Sequence, residues 1–254
     1  MNRTETERDK ENKVILDEII KLYEEVKGIY GYRRITLNIN KILNSNFNYK
    51  RIYRLMKSVK LTAVIRRKKK RYIHSTPQIT AENILNRNFT AENSNEKWLT
   101  DVTEFKLCNG TKAYLSAILD LADNSIISYV IGKSNNNKLV FDTLDKAIVS
   151  NPEAKPLFHS DRGFQYTSKI FKNKLNAINA VQSMSRVGRC IDNGPMEAFW
   201  GTLKSEMYYL QKFANFEELE QAINEYIEFY NTKRLQKKLK GMAPTEYRSH
   251  TLAA

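Results

Sequence analysis

Three strand-like segments joined by two short turns constrain the fold of this chain more than any other feature. Residues 98–107 alternate between polar and apolar side chains and are rich in Trp, Val, Thr and Phe, which is typical of a β-strand. The Asn-Gly pair at 109–110 favours a hairpin turn, and residues 113–122 are almost continuously apolar, as in a strand buried on both faces. The Asp-Asn pair at 123–124 predicts a second turn before a third strand at 125–132. These segments therefore predict an antiparallel unit whose middle strand is covered on both sides.

Beyond residue 132 the pattern changes to alternating helices and strands. Helical spacing of apolar residues and short apolar runs predict a helix at 139–149, a strand at 156–161, a helix at 168–175, a strand at 180–185, and long helices at 192–209 and 217–231. The element order β-β-β-α-β-α-β-α-α indicates an α/β fold with a mixed sheet flanked by helices.

The N-terminal quarter of the chain differs in charge and in pattern. Residues 1–72 hold 20 lysines and arginines against eight acids, whereas residues 73–254 hold 22 against 20, so most of the net charge of +14 is N-terminal. Apolar residues recur at helical spacing in 14–27, 35–43 and 49–59. Three short basic helices predict a small all-α, helix-turn-helix-like module that binds nucleic acid. The alternative is a well-solvated surface with a surplus of lysine.

An unbroken basic run follows the third predicted helix. It consists of Arg66, Arg67, Lys68, Lys69, Lys70 and Arg71. Two roles fit such a run, namely phosphate contacts with DNA and a solvated linker. Residues 73–95 are polar and lack periodicity, so they are expected to form a linker. The predicted organisation is a DNA-binding module at 1–72, a linker at 73–95, and a core with C-terminal helices at 96–254.

Composition and spacing exclude several other classes of protein. No run approaches the roughly 18 apolar residues that a membrane span needs, and the N-terminus lacks the apolar segment of a signal peptide. We therefore expect a cytoplasmic protein without a membrane partner. The three histidines and two cysteines show no paired ligand spacing, so neither a zinc site nor a disulfide framework is indicated.

Three acidic residues stand out by their positions in the predicted elements. Asp101 lies inside the first strand, where a carboxylate is costly to bury unless it binds a cation or hydrogen-bond donors. Asp161 ends the fourth strand, and Glu197 lies in the first turns of a helix that Asp192 or Asn193 can cap. A cluster of these acids would attract hard divalent cations such as Mg²⁺. For any one of them alone, a helix cap or a surface charge is the commoner role.

Four segments, taken jointly and in order, carry a family resemblance. They are WLTDVTEF at 98–105, HSDRGFQYTS at 159–168, SMSRVGRCIDNGPMEAFWGTLKSE at 183–206, and YNTKRLQKKLKGMAPTEYR at 230–248. They resemble the retroviral-integrase-type core of bacterial insertion-sequence transposases, and more narrowly the second-frame (OrfB) protein of the family that uses two overlapping frames. Between Asp161 and Glu197 lie 35 residues, the spacing of that family. GIYGYRRI at 28–35 resembles the family's helix-turn-helix-like region.

The resemblance implies a ribonuclease-H-like fold and a DNA transposase that cleaves and transfers DNA strands. Asp101, Asp161 and Glu197 match the metal-binding catalytic acids, which implies two Mg²⁺ or Mn²⁺ ions as cofactors. The residues His159, Arg162 and Asn193 are expected to shape the site or to contact DNA. Lys204 falls on the same helix face as Glu197, which makes it a candidate phosphate contact.

The resemblance also implies partners beyond the DNA of the element ends and target. The active enzyme of the family is usually a frameshift fusion, whose first-frame part adds a helix-turn-helix and a leucine zipper. No sustained heptad occurs in this chain. We therefore expect a first-frame partner or fusion, a multimer on DNA, and location at the bacterial nucleoid.

Two other functions are compatible with parts of the sequence. One is a ribonuclease-H-like nuclease that hydrolyses DNA without strand transfer, and the other is a catalytically inactive DNA-binding regulator. The basic N-terminal module disfavours the first, and the presence of all three acids disfavours the second.

Overall fold

The structure is a computed structural model that describes residues 6–65, 81–186 and 190–252. The basic run at 66–71 and the first part of the expected linker lie outside these residues. The described residues divide into two compact units. The first holds residues 6–65 with Leu235–Gly241, and the second holds the rest of the described chain.

The first unit contains the three predicted helices. They are α1 (Glu7–Glu25), α2 (Tyr32–Ile42) and α3 (Tyr49–Ser58). A capping box starts α1, since Thr6 and Asp9 each accept a hydrogen bond from the other's backbone N–H. Fully buried isoleucines lie on all three helices, among them Ile19, Ile39 and Ile52. The helical periodicity of the sequence thus corresponds to an apolar core within this unit.

The turn between α1 and α2 requires a glycine. Gly28 has a φ of +71°, and a Cβ added there would lie 2.9 Å from the Tyr23 hydroxyl oxygen. Directly after it, Ile29 and Tyr30 are buried. The GIYG sequence at 28–31 is therefore a tight, largely buried connection between two helices.

The second unit contains a five-stranded mixed sheet. Its strands are β1 (Lys97–Lys106), β2 (Lys112–Asp120), β3 (Ile126–Gly132), β4 (Leu157–Ser160) and β5 (Val181–Met184). The strand order is β3-β2-β1-β4-β5, with antiparallel pairing among the first three strands and parallel pairing of β4 with β1 and β5. The predicted mixed sheet of ribonuclease-H type is confirmed.

Helices cover both faces of the sheet. They are α4 (Asn137–Ser150), α5 (Lys169–Ala177), α6 (Gly194–Glu206), α7 (Phe216–Thr232) and α8 (Pro244–Leu252). On one face, Leu99 and Phe105 of β1 share a buried cluster with residues of α6 and α7. On the other, Trp98 packs in a cluster with residues of α4 and α5. Because successive side chains of a strand point to opposite faces, β1 contributes to both clusters.

The start of α6 differs from the sequence-based prediction. A helix beginning at Asp192, capped by Asp192 or Asn193, was expected. Instead a 3-10 turn spans Cys190–Asn193, α6 begins at Gly194, and no side chain caps it. The reason is that Asp192 accepts hydrogen bonds from Arg186 and Arg87, while the Asn193 amide donates to the Thr100 carbonyl.

Helix α8 was not predicted, because its apolar residues do not form one face. Polar contacts hold it instead. The guanidinium of Arg248 lies 3.2 Å from the Asp120 carboxylate and 3.1 Å from that of Asp123, and both aspartates are buried. Burial and the neighbouring charge of Asp123 raise the pKa of Asp120 to about 6. This ion cluster joins the C-terminal helix to the turn between β2 and β3.

Residues 81–95 form neither helix nor strand, yet they bind closely to the second unit. Leu85 is buried, and its backbone N–H donates to the Ser183 hydroxyl. Farther along, the Asn95 N–H donates to Asp120. These hydrogen bonds hold the polar, aperiodic segment at 81–95 against the sheet. In the described part of the chain, no helix combines the length and hydrophobicity needed to cross a membrane.

A buried ion pair connects the end of α6 to the end of α7. The Arg234 guanidinium donates two hydrogen bonds to the Glu206 carboxylate, at 2.8 and 2.7 Å, and the Tyr226 hydroxyl donates a third at 2.9 Å. Breaking a buried pair leaves an uncompensated charge, whereas replacing both partners by apolar residues avoids that cost.

The Arg234→Ala variant is therefore expected to lower the free energy of unfolding by about 3–5 kcal/mol. Urea denaturation measures this loss. The neighbouring Lys233 is exposed, so Lys233→Ala is the control and should change stability by less than about 0.5 kcal/mol. The double variant Glu206→Leu, Arg234→Met should recover part of the loss, since it removes both charges but leaves the Tyr226 hydroxyl without its acceptor. Equal stability of Arg234→Ala and the control would contradict this role.

Candidate active site

The parallel pairing of β1 and β4 brings two of the three predicted acids near each other. In that pairing Leu99 is opposite His159, and β4 ends at Ser160. Asp101 lies within β1, two residues beyond Leu99, and Asp161 is the first residue after β4. Beyond the effect of burial, the charge of Asp161 raises the pKa of Asp101, so the two carboxylates are close enough to interact.

Hydrogen bonds hold both oxygens of the Asp101 carboxylate. One accepts from the Val102 N–H at 2.8 Å, and the other from the Trp200 indole N–H at 3.0 Å. Trp200 is buried, and it is also a direct partner of Asp101. Burial and the charge of Asp161, with a smaller contribution from Glu197, raise the pKa of Asp101 to about 7 despite these bonds.

A short loop holds the Asp161 carboxylate after β4. The Gly163 N–H donates to it at 2.9 Å. A Cβ at Gly163 would lie 2.7 Å from the Gln165 amide oxygen and 3.1 Å from the Asp161 carboxylate. Surrounding protein atoms restrict the hydration of this carboxylate and raise the pKa of Asp161. A side chain at position 163 would therefore displace the Gln165 amide and crowd the Asp161 carboxylate.

Helix α6 carries Glu197 and is bonded to β1 at three points. Before its first turn, Asn193 donates to the Thr100 carbonyl at 3.0 Å. From its middle, Trp200 donates to Asp101, and near its end Lys204 donates to the Glu104 carbonyl at 3.0 Å. Since these bonds fix the helix along the strand, they also fix the position of Glu197. Its charge acts on Asp101, whose pKa it raises.

A buried tyrosine lies close to the two aspartates. The Tyr166 side chain is buried, with its hydroxyl 3.4 Å from that of Thr100. Burial, together with the charges of Asp161 and then Asp101, raises the pKa of Tyr166 well above its usual range. This neutral hydroxyl was not predicted from the sequence, where Tyr166 has no distinguishing pattern.

The donor set consists of hard carboxylate oxygens, which Mg²⁺ and Mn²⁺ prefer. Within the described ranges, no three His, Cys, Asp or Glu side chains are grouped closely enough to hold a metal ion. The fit of a divalent cation therefore depends on the Asp101 and Asp161 pair. Repulsion between their carboxylates, which a cation would relieve, favours such binding.

The residues expected to assist the acids are held by protein partners. His159 is buried between the hydroxyls of Ser183 and Ser185, at 2.9 and 3.0 Å, and burial lowers its pKa to about 4. Arg162 donates to the Ser185 carbonyl at 2.6 Å. The Lys204 ammonium also lies 5.1 Å from the centre of the Phe105 ring. The burial of His159 and Asn193 favours a role in shaping the site over direct contact with DNA.

Sequence reasoning missed the role of Asp192. This buried carboxylate accepts hydrogen bonds from the side chains of Arg186, Arg87 and Asn83. The Arg186 guanidinium, above all, holds the pKa of Asp192 well below its usual range. Three chain segments therefore meet just before α6. An acid beside the helix start was a sequence signal, but the arginine partners were not identifiable from spacing.

Known protein families match almost the whole chain. The HTH-like domain family matches residues 9–69, and two integrase core domain families match residues 91–190 and 197–252. The boundary between the two core matches falls between β5 and Glu197.

Several curated proteins are similar over most of their length. The chain is 45% identical over 234 residues to the putative transposase InsK for insertion sequence element IS150 of Escherichia coli (strain K12), covering 92% of this chain and 82% of that protein. It is 43% identical to an uncharacterized transposase-like protein of Haemophilus influenzae, with coverage of 81% and 94%. It is 32% identical to the transposase for insertion sequence element IS904 of Lactococcus lactis, with coverage of 98% and 99%.

Solved structures share the fold at low sequence identity. One is the HTLV-2 integrase catalytic core domain in complex with magnesium, in its trimeric form, with a TM-score of 0.50 and 21% identity over 61% of this chain and 97% of that one. Another is the simian T-cell lymphotropic virus intasome in complex with PP2A regulatory subunit B56 gamma, with a TM-score of 0.51 and 18% identity over 86% and 70%.

The raised pKa of Asp101 predicts a pH-dependent stability in the absence of divalent cations. Between about pH 4 and pH 7 the folded state retains a proton that the unfolded state loses. The contribution of this group to stability therefore falls as the pH rises through that window. The stability gained by Asp101→Asn over wild type should be larger at pH 8 than at pH 4, by about 2–4 kcal/mol.

Urea denaturation in EDTA at both pH values measures this difference. The control is Glu153→Gln, which removes an exposed carboxylate of the same unit and should show no such change. A gain from Asp101→Asn that is equal at both pH values would mean that the carboxylate is well hydrated.

Proposed function

Because this chain belongs to the DNA transposases of insertion sequences with an integrase core domain, we propose that Asp101, Asp161 and Glu197 are its catalytic residues. The observation that carries the proposal is that the charges of Asp161 and Glu197 both act on Asp101, whose pKa they raise. Membership in the transposases disfavours both the pure nuclease and the inactive regulator.

The three carboxylates are proposed to hold two Mg²⁺ or Mn²⁺ ions. Each oxygen of Asp101 accepts one hydrogen bond from the protein, and a carboxylate oxygen has a second lone pair available to a cation. When bound, such ions activate an attacking oxygen and stabilise charge on the leaving oxygen. The bonds from Val102, Trp200 and Gly163 orient the acids, so the ligand positions are set before the ions bind.

The reaction that this site supports is polynucleotidyl transfer in two displacements. In the first, a water oxygen attacks a phosphodiester at the element end, the P–O3′ bond breaks, and a 3′-hydroxyl is released. In the second, that hydroxyl attacks another phosphodiester and displaces its 3′-oxygen, which joins the strands. One phosphodiester is broken for each one formed in the second step, so no external energy source is needed.

Binding of the DNA is proposed to involve parts of the chain outside the catalytic core. The run Arg66–Arg71 is a candidate for phosphate contacts, and the module at 1–72 for positioning the DNA. We propose that a first-frame partner or fusion and assembly into a multimer on DNA complete the active enzyme.

Glu197→Gln tests the assignment most directly. The substitution preserves size but removes the negative charge, so cleavage and joining of element-end DNA in Mg²⁺ should fall by at least about 10³-fold. DNA affinity should change less than about threefold, because the residue contacts no phosphate in this scheme. The protein is assayed alone and fused to its first-frame partner, with products resolved on denaturing gels.

The matched control is Glu225→Gln, which changes an exposed glutamate on α7 and should retain full activity. Wild-type nicks without joined products would indicate a nuclease, and binding without either product would indicate a regulator. Strand cleavage retained by Glu197→Gln would show that another carboxylate completes the site.

Gly163→Ala tests the loop that holds Asp161. The added methyl group would crowd both the Gln165 amide and the Asp161 carboxylate, so cleavage should fall by about 10²-fold through misplacement of the acid. Gly201→Ala is the control, because a Cβ at that α6 position meets nothing within 4 Å. The control should keep its activity and gain about 0.5–1 kcal/mol in stability. Full activity of Gly163→Ala would refute the role of the loop.

A further inference from the structure

Residues 83–87 lie between the matched HTH-like and integrase core families, which end at residue 69 and begin at residue 91. They nevertheless have buried partners in the second unit. Leu85 packs in the apolar cluster beneath α6 and α7, and its N–H donates to the Ser183 hydroxyl on β5 at 3.0 Å. Residues 83–87 are called the strap below.

Two side chains of the strap bind the carboxylate of Asp192, which is fully buried. Asn83 donates to it through its amide at 2.9 Å, and Arg87 donates through Nε at 2.7 Å. The amide oxygen of Asn83 accepts a hydrogen bond from the Asn86 N–H, also at 2.9 Å. One amide group therefore closes the turn of the strap and reaches Asp192 at the same time.

The backbone of the strap has a conformation that few residues favour. Asn86 and Arg87 have φ values of +42° and +62°, both in the left-handed region. Asparagine adopts this region more readily than arginine does. Such a backbone persists where its surroundings hold it, and it occurs most often at functional sites. In the strap, the residue with the less favourable backbone is also the one whose guanidinium binds Asp192.

The start of α6 depends on contacts of this kind. Among the described residues, no side chain caps the helix, so its first N–H groups lack the partner that a cap would supply. The preceding 3-10 turn is held instead by Asp192 and by the bond from Asn193 to the Thr100 carbonyl. Glu197 lies in the first turn of α6, five residues after Asp192. Its position therefore depends on how firmly Asp192 is held.

We propose that the strap is a positioning element of the catalytic site, in which Asn83 and Arg87 hold Asp192 and thereby fix Glu197 for cation binding. The inference rests on the proposed function, because it concerns the third metal-binding acid. Arg186 also binds Asp192, but it belongs to the matched core, whereas the strap adds anchors from outside it. The strap acts through Asp192 and α6, so its loss should appear in the affinity for cations.

Asn83→Asp tests the strap with almost no change in size. The new carboxylate can still accept from the Asn86 N–H, but it cannot donate to Asp192 and its charge repels that residue. The matched control is Asn88→Asp, which makes the same change at an exposed residue just after the strap. There the new carboxylate still accepts from the Thr90 N–H.

Cation binding of the full chain is measured with Tb³⁺, an oxygen-seeking cation whose luminescence a nearby tryptophan sensitises. Trp200 is suited to this, because its indole N–H lies 3.0 Å from the Asp101 carboxylate. The half-saturating Tb³⁺ concentration should rise about tenfold in Asn83→Asp and stay within about twofold of wild type in Asn88→Asp. Excess Mg²⁺ should displace the signal, and thermal unfolding checks that each variant folds.

Arg87→Ala should weaken Tb³⁺ binding in the same direction, and Arg87→Lys should recover part of the loss, because it keeps the charge and one donor. Lys172→Ala removes an exposed cation of α5 and is the control. At a fixed Mg²⁺ concentration, cleavage of element-end DNA by Arg87→Ala should slow by about tenfold. The half-saturating DNA concentration should not change by more than about twofold, since the strap holds Asp192 and not the DNA.

A double-mutant cycle shows whether the strap acts through Glu197. Glu197→Gln alone should weaken Tb³⁺ binding at least as much as Asn83→Asp does. Adding Asn83→Asp to Glu197→Gln should weaken it by no more than about a further twofold, because the acid to be positioned has already been removed. The same fold-change from Asn83→Asp in both backgrounds would show that the strap acts elsewhere, and would overturn the inference.

Failure of this inference and failure of the proposed function give different results. If Glu197→Gln leaves Tb³⁺ binding and strand cleavage unchanged, the catalytic proposal is refuted, and this inference with it. If Glu197→Gln impairs both while Asn83→Asp and Arg87→Ala behave like their controls, only the role of the strap is refuted. A higher half-saturating DNA concentration for Arg87→Ala with unchanged Tb³⁺ binding would make Arg87 a DNA contact and would also overturn the inference.

Discussion

Parallel pairing of β1 with β4 is the constraint on which the rest of the catalytic unit depends. It brings Asp101 on β1 near the loop that follows β4, where the charge of Asp161 acts on Asp101 and the two carboxylates repel. The protein lessens this cost with directed N–H groups, from Val102 and Trp200 on one acid and from Gly163 on the other. Burial, together with the repulsion that remains, raises the pKa of Asp101. A bound cation would relieve this repulsion, so a site built in this way favours cations.

Helix α6 is the element that connects this pair to the remainder of the fold. Its bonds to β1 run from Asn193 to Lys204 and include the Trp200 contact with Asp101. Its far end is joined to α7 by the buried pair of Glu206 and Arg234. Because Glu197 lies on the same helix, each of these contacts also determines where the third acid lies. The apolar cluster beneath α6 and α7 packs these helices against the sheet. The polar contacts set the orientation of the helices.

Charged residues are distributed differently in the two units. Acidic residues of the first unit are confined to α1, while α2 and α3 present cations and tyrosines. In the second unit the conspicuous charges are buried and paired, as in Asp192 with its arginines and Arg248 with Asp120. Buried pairs of this kind fix geometry, whereas exposed cations without nearby acids attract DNA phosphates.

The sequence by itself predicted the order of the elements up to α7 and the mixed sheet, and it indicated the three acids as candidates, because alternation, helical periodicity and turn residues act over a few neighbouring positions. It also indicated the family, since the motifs occur in order with a fixed 35-residue gap between Asp161 and Glu197. Only the tertiary structure decided that Trp200 holds Asp101, that Asp192 binds arginines instead of capping α6, and that Arg248 anchors an otherwise weak helix. Those contacts join residues up to 128 positions apart, and hydrogen bonds and ion pairs at such separations leave no periodic trace in the sequence.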